Sequence, residues 1–416
     1  MRLSCLPLPV GLLLLASCAQ PASLSPDDSI SAPPVQVGFF ATVAGTDLGT
    51  LGGRASYAQA INKWGTVVGY SNTATGEVHA FRWTAAEGMV DLGTLPGDVA
   101  SGAVSILTTG KILGWSQSAG GTSTPVTWGR GDRIERLNIP QLPDAEAGMV
   151  PTDFNERGQI IGYAITPAGQ RGWYWSKVSG TVDLEADIPS CLENYPSAIN
   201  IHGQVVGGYC VPTIGWQHAF LWQWGRGYTD LGIVGEDISN TILVGLSLND
   251  FARVVGWVST LSFNSAYVWS ATEGFTLLPS FGGLAYATGI NKRGVAVGAA
   301  GGGASNEPIQ AVAWPSVDGM VSLAGVSQNA SVATAVNDRG QAVGWISLDD
   351  AGTNHSMLWV ISTAAVQTTS KAPAPPSLGM GRLDAHPIGN TAESCLSDQN
   401  AITSKSRLMQ CILEKM

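Results

Sequence analysis

Short runs of alternating apolar and polar residues recur along the chain, each broken at one phase by Asn-x-x-Gly. The clearest copy is Ala58-Gln59-Ala60-Ile61, then Asn62-Lys63-Trp64-Gly65, then Val67-Val68-Gly69-Tyr70. A period of two on both sides of a turn predicts a pair of antiparallel strands. Asn opens the turn because its side chain accepts from backbone N–H groups ahead, and Gly closes it with positive φ. The turn returns as Asn155–Gly158, Asn200–Gly203, Asn291–Gly294 and Asn337–Gly340, with degenerate copies at Leu107–Gly110 and Asn249–Ala252. A third expected strand ends in Trp83, Trp128, Trp175, Trp222, Trp269, Trp314 and Trp359, spaced 45 or 47 residues apart. A fourth carries Asp-Leu-Gly or a remnant of it, as in Asp91-Leu92-Gly93, Asp183-Leu184 and Asp230-Leu231-Gly232.

Four short strands per unit of about 45 residues predict an all-β fold, a seven-bladed β-propeller of four-stranded blades. One unit cannot bury both faces of its sheet, so blade must pack on blade, and a closed ring leaves no open end. An Asp47-Leu48-Gly49 copy stands before the first hairpin and none follows Trp359, so the N-terminal segment is expected to supply the outer strand of the last blade. The alternative for the same pattern is an open β-solenoid. The expected division is residues 1–17 as a signal peptide, 18–36 as a linker after a lipidated cysteine and 37–362 as the propeller. Residues 363–390 follow as a Pro/Ser/Gly-rich linker. Residues 391–416 follow as a small C-terminal segment with helical spacing in Ile402, Leu408, Met409, Ile412 and Leu413.

Arg2 followed by an apolar core over Val10–Ala16, too short to span a bilayer, reads as an export signal. It ends in Leu15-Ala16-Ser17-Cys18, the pattern of a bacterial lipobox. Cys18 is therefore the expected lipidation site, and an outer-membrane or cell-surface lipoprotein the expected product. Cleavage near Gln20 instead leaves a secreted or periplasmic protein. In an oxidising compartment the remaining cysteines pair. Cys191 and Cys210 lie nine and seven residues from the turn Asn200–Gly203, nearly opposite each other. A disulfide between them is expected, contributing about 3 kcal/mol. Cys395 and Cys411 then close a second loop. A formal charge of −10 with only 21 Lys and Arg offers no basic stripe, which argues against nucleic acid as a partner.

The repeated string Asp-Leu-Gly-Thr-Leu-Gly-Gly (Asp47–Gly53), then Ala60-Ile61-Asn62, then His79-Ala80-Phe81-Arg82-Trp83 and His218-Ala219-Phe220-Leu221-Trp222, resembles the HAF-repeat family of bacterial extracellular proteins. The resemblance covers residues 40–360. It implies export and a repeat architecture, and it transfers no catalytic residue.

Three groups of side chains are candidates for chemistry. Tyr57, Tyr195 and Tyr286 sit five residues before their turn Asn, and Trp216 lies in a nearby loop. Rings at the mouth of a channel would stack on sugars while phenols hydrogen-bond, the pattern of a carbohydrate or polymer site. The plainer alternative, preferred here, is that these tyrosines pack between blades. His79, His218 and His355 sit four residues before their marker Trp. They fall in repeats one, four and seven, too far apart for a shared metal ion, so hydrogen-bonded strand-end roles are expected, with no metal and no cofactor. Acids scattered among blades, such as Asp98, Glu236 and Asp237, leave a carbohydrate-active hydrolase or lyase as the alternative activity. The reading that fits best is a monomeric, non-catalytic binding or interaction module for polysaccharide or cell-surface protein, held at the membrane by its lipid.

Overall fold

Every copy of the Asn-x-x-Gly motif turns between two antiparallel strands, as the alternation predicts. The computed structural model describes residues 45–361 apart from 147, 168, 189–192, 211–216, 235–240, 261–262, 303–307, 325–328 and 350–351. Cys18, Cys191, Trp216, Glu236, Asp237, Cys395, Cys411 and the expected C-terminal helix lie outside the described residues.

Repeats two to six each form a separate four-stranded antiparallel sheet in simple up-and-down order. The first strands of the seven repeats are Gly52–Ile61, Asp98–Ile106, Met149–Phe154, Asn194–Ile199, Ile242–Leu248, Gly282–Ile290 and Ser331–Val336. All seven contribute to the wall of one central cavity. Four-stranded sheets arranged around a common cavity are a β-propeller. Repeat seven supplies three strands of its own. Its third strand, Asn354–Val360, pairs antiparallel with Gly45–Asp47, and Ala55 of repeat one bridges to Asn354.

Each turn Asn works in two directions. Its Oδ1 accepts from the backbone N–H groups two and four residues ahead, as Asn291 does from Arg293 and Val295, both at 3.0 Å. Its Nδ2 donates to the backbone carbonyl that opens the next repeat's turn. The bonds run Asn155 to Asn200 (2.8 Å), Asn200 to Asn249 (3.2 Å), Asn249 to Asn291 (3.1 Å), Asn291 to Asn337 (3.0 Å), Asn337 to Asn62 (3.0 Å) and Asn62 to Leu107 (3.4 Å). Leu107 has no amide to continue the chain of bonds. There Glu156 of repeat three accepts from the Thr108 N–H (2.7 Å) and hydroxyl (2.5 Å) instead.

A second device lies one turn deeper. Every first strand carries a register shift three residues before its turn, with Gln59, Val104, Thr152, Ser197, Leu246, Thr288 and Thr334 as the extra residues. Such β-bulges re-aim the extra side chain. Three of them donate a hydroxyl to the neighbouring first strand: Thr152 to Pro196 O (2.8 Å), Thr288 to Ala333 O (2.6 Å) and Thr334 to Ala58 O (2.8 Å). The marker tryptophans do the same farther out, with Trp128, Trp222 and Trp314 buried and donating to Leu92 O, Asp187 Oδ2 and Pro279 O of the preceding repeat, each at 2.8 Å. Trp175 and Trp269 are only half-buried, so two repeats use this position less fully.

Asn291→Leu imitates repeat two without its compensating glutamate, and removes one donor and one acceptor from buried partners. It is expected to lower stability by about 2–3 kcal/mol in urea unfolding. Leu107→Asn restores the missing amide and is expected to raise stability by about 1 kcal/mol. Equal and near-zero effects would show that the Asn chain is ornamental.

Candidate functional site

The central cavity encloses about 210 Å³. Its wall runs from Tyr163 and Tyr195 at one end to Leu248, Ile290 and Val336, the residues immediately before the turns, at the other. Among the described residues Asp153 is the one carboxylate in the wall. Its oxygens are engaged by the Ser105 hydroxyl (2.7 Å), the Phe154 N–H (2.9 Å) and the Ile199 N–H (3.0 Å), so it ties repeat three to repeats two and four. Backbone amides thus hold both of its oxygens.

Beyond the bulges lies a collar of aromatic residues. In each repeat the residue five before the turn Asn faces, directly across the first two strands, the residue after the Gly of the second strand. The pairs are Tyr57–Tyr70, Gly102–Trp115, Val150–Tyr163, Tyr195–Gly208, Val244–Trp257, Tyr286–Ala299 and Val332–Trp345. Every repeat holds at least one large ring, and outside repeat one the partner is small. A Cβ on Gly208 would stand 2.4 Å from the Tyr195 hydroxyl oxygen, and one on Gly102 would stand 2.7 Å from the Trp115 ring. Close packing leaves room for a single ring per pair. Repeat one keeps both, with the Tyr57 and Tyr70 centroids 5.2 Å apart.

The tyrosines singled out from sequence therefore come together, in one apolar cluster with Val244, Trp257, Val332 and Trp345, and not as an exposed mouth. Tyr195 is 7% and Tyr286 1% exposed, and Tyr57 is half-buried against Tyr70 and Trp345. The Tyr195 hydroxyl donates to Gln217 Oε1 (2.6 Å), and the Tyr57 hydroxyl accepts from Asn354 Nδ2 (2.7 Å). Burial pushes the Tyr195 and Tyr286 phenols far above their ordinary pKa. Four polar atoms of the collar (Trp115 Nε1, Trp257 Nε1, Trp345 Nε1 and the Tyr286 hydroxyl) are buried with no hydrogen-bond partner in the protein. Sequence reading found only the collar members on first strands. The recurrence of Tyr70, Trp115, Tyr163, Trp257 and Trp345 just after Val-Gly, Leu-Gly or Ile-Gly is the signal that locates the rest.

The histidines are held apart, each by an aspartate of the adjoining fourth strand. His79 Nδ1 donates to Asp91 (2.9 Å), His218 to Asp230 (3.0 Å) and His355 to Asp47 (2.8 Å). Arg171 takes the same place against Asp183. The other oxygen of the aspartate accepts from the Gly two residues on, at 2.8 Å from Gly49, Gly93 and Gly232. The His-Ala-Phe and Asp-Leu-Gly signatures are thus two halves of one strand clasp. No cluster of three or more metal-ligating side chains occurs among the described residues. Asp98 accepts the Ser116 hydroxyl (2.7 Å) at the start of its strand.

The two ends of the sheets differ in kind. At the turn face, four or five residues join every first strand to its second. At the loop face, connections between repeats run from four residues (278–281) to twelve (137–148), with ten at 184–193 and eleven at 231–241. Long, unequal loops over a rigid scaffold are where binding residues concentrate.

No family model matches the chain and no curated protein matches it in sequence. Among solved structures it is similar to a lectin from Burkholderia pseudomallei at 12% identity, covering 78% of this chain and 96% of that one with a TM-score of 0.43. It is also similar to the Aleuria aurantia lectin at 9% identity, covering 73% and 95% with a TM-score of 0.33. TolB from Acinetobacter baumannii is a third, at 12% identity, covering 75% and 64% with a TM-score of 0.41. At such scores these likenesses carry no argument about function.

Gly208→Trp alone is expected to unfold the protein or cost more than about 3 kcal/mol by overpacking. Tyr195→Val with Gly208→Trp reproduces the Val244–Trp257 pair and is expected to recover most of that loss, read by thermal unfolding. The clasp makes a second prediction. Burial pushes the pKa of Asp230 up, but hydrogen bonds from His218, Gly232 and Tyr209 outweigh it and hold the carboxyl below its ordinary value of 3.8. A depressed carboxylate contributes stability above its unfolded pKa and loses it as pH falls through the folded one. The stability deficit of Asp230→Asn is therefore expected to be full at pH 7 and to shrink below pH 3.8. A deficit independent of pH would contradict the clasp.

Proposed function

We propose that the protein is an exported, lipid-anchored, closed seven-bladed β-propeller of the HAF-repeat type, acting as a non-catalytic binding or interaction module for polysaccharide or cell-surface protein. The observation that carries the binding role is the loop face. It gathers the longest and least equal connections between strands, from four residues to twelve, on a scaffold of uniform hairpins. The seven first strands around one cavity support the blade number. The pairing of Gly45–Asp47 with Asn354–Val360 and the bonds from Asn337 to Asn62 and Thr334 to Ala58 support closure. A hydrolase reading finds less support, because among the described residues the cavity wall carries one carboxylate where glycoside cleavage uses two.

Disulfide pairing of Cys191 with Cys210 belongs to the same proposal. Cys210 is disulfide-bonded, and its N–H donates to Glu193 O at 3.0 Å, two residues from Cys191.

The test is a glycan and cell-wall-polymer array probed with the processed chain. A variant whose 137–148 connection is shortened to the length of 278–281 serves as comparison. Binding that falls at least about tenfold in the variant, with thermal stability kept, supports a loop-face site. Unchanged binding moves the site off this face, and binding to no polymer leaves a protein partner as the working reading.

A further inference from the structure

The turn face carries more than uniform hairpins. Among the described residues eight large apolar side chains are strongly exposed, and six of them (Trp64, Val178, Trp224, Phe251, Val317 and Val360) lie at this end. Phe251 is 74% and Trp64 60% exposed. Basic residues are interleaved with them. The seven turn loops, each counted from its Asn or Leu to the residue after the Gly or Ala, hold seven Lys or Arg against three acids, in a chain of formal charge −10. Hairpins between third and fourth strands add four of each sign and leave the bias in place.

The three acids are turned to internal partners. Glu156 holds the Thr108 N–H and hydroxyl, Asp250 holds the Ile201 N–H and Lys292 Nζ, and Asp338 holds the Lys292 N–H. Lys63, Arg157, Arg293 and Arg339 are exposed. Lys63 Nζ and the Arg339 guanidinium lie 4.7 and 5.4 Å from the Trp64 ring centre, and the indole N–H is fixed on Thr108 O at 3.0 Å. The sequence-based expectation of no basic stripe holds for the chain as a whole but not for this face. The loops that form it are 45 residues or so apart in sequence, which dilutes the charge in any linear window.

Both ends of the described chain also emerge here. Gly45 pairs with Trp359, and the Ile361 N–H donates to Gly340 O of the last turn at 2.8 Å.

We propose that the turn face docks on an anionic bilayer surface, with its exposed apolar side chains at the headgroup level and its lysines and arginines on lipid phosphates. Apolar tips set among basic side chains are the physical requirement for interfacial binding, and each basic residue near an anionic membrane adds attraction. A lipid on Cys18 would act together with this face, where the described chain begins at Gly45. That last step rests on the lipobox reading, whereas docking itself does not. The loop face is then turned away from the membrane, toward its ligand.

The experiment is vesicle flotation with the processed chain beginning at residue 18 and carrying Cys18→Ser, so that no acyl chain contributes. Vesicles are phosphatidylcholine alone or phosphatidylcholine with phosphatidylglycerol. The protein is expected to float with the anionic vesicles only, and less so as salt rises. Arg157→Gln and Arg293→Gln are each expected to weaken binding roughly fivefold, and Phe251→Ala to weaken it as well. Leu348→Ala, exposed at the loop face, is expected to change nothing. Thermal unfolding confirms that each variant is folded. Failure to float with anionic vesicles, or indifference of flotation to the turn-face substitutions, would each overturn docking. Absence of acyl label on Cys18 in the unmodified protein, with flotation intact, would remove the lipid anchor alone.

Discussion

The structure hangs on a primary amide used at both ends. In six of the seven turns the Asn oxygen closes the local hairpin by accepting two backbone N–H groups, and the nitrogen crosses to the next repeat's carbonyl. The first bond makes the hairpin and the second sets the distance between neighbours. An aspartate would keep the first and lose the second, since a carboxylate only accepts, and a serine is too short for both. Local turn chemistry and long-range assembly therefore depend on one side chain. That dependence explains why the motif's first position tolerates so little variation within the chain. Where it fails, at Leu107, a charged acceptor on the neighbouring turn takes over.

Assembly around the axis repeats this economy. Bulged threonines, marker tryptophans and turn asparagines each reach one repeat forward or back, at three different depths of the sheet. The collar adds packing at a fourth depth. It is conserved in volume and not in identity: a ring from the first strand in repeats four and six, from the second in repeats two, three, five and seven, and from both in repeat one. The histidines and their aspartates follow the same logic, each pair clasping a third strand to a fourth.

Once these residues are assigned to holding the fold, variation is left at two surfaces of opposite character. The loop face varies in connection length from repeat to repeat. The turn face is constant in backbone and distinctive in side chains, gathering exposed rings and basic groups where both chain ends emerge. Under the roles proposed for them, the uniform face would serve attachment and the irregular face recognition.

The hairpins, the repeat period, the four-stranded unit and the role of the Asn oxygen were determined by the sequence alone, because each depends on residues fewer than fifty positions apart whose spacing can be read directly. The packing alternative for Tyr195 and Tyr286 was also legible from their place in an alternating strand. What only the tertiary structure decided involves partners in different strands or repeats. Tyr195 needs Gly208 opposite it, and that relation appears only when the two strands are set in register. The His–Asp clasp joins two signatures that read as separate motifs in the chain. The hydrogen bond from the Asn337 side-chain amide to the Asn62 carbonyl spans 275 residues. The charge of the turn face is a sum over seven loops that meet only in space. Local periodicity is a property of the strand and survives in one dimension; complementarity across strands and summation over a face arise only when the repeats are brought together.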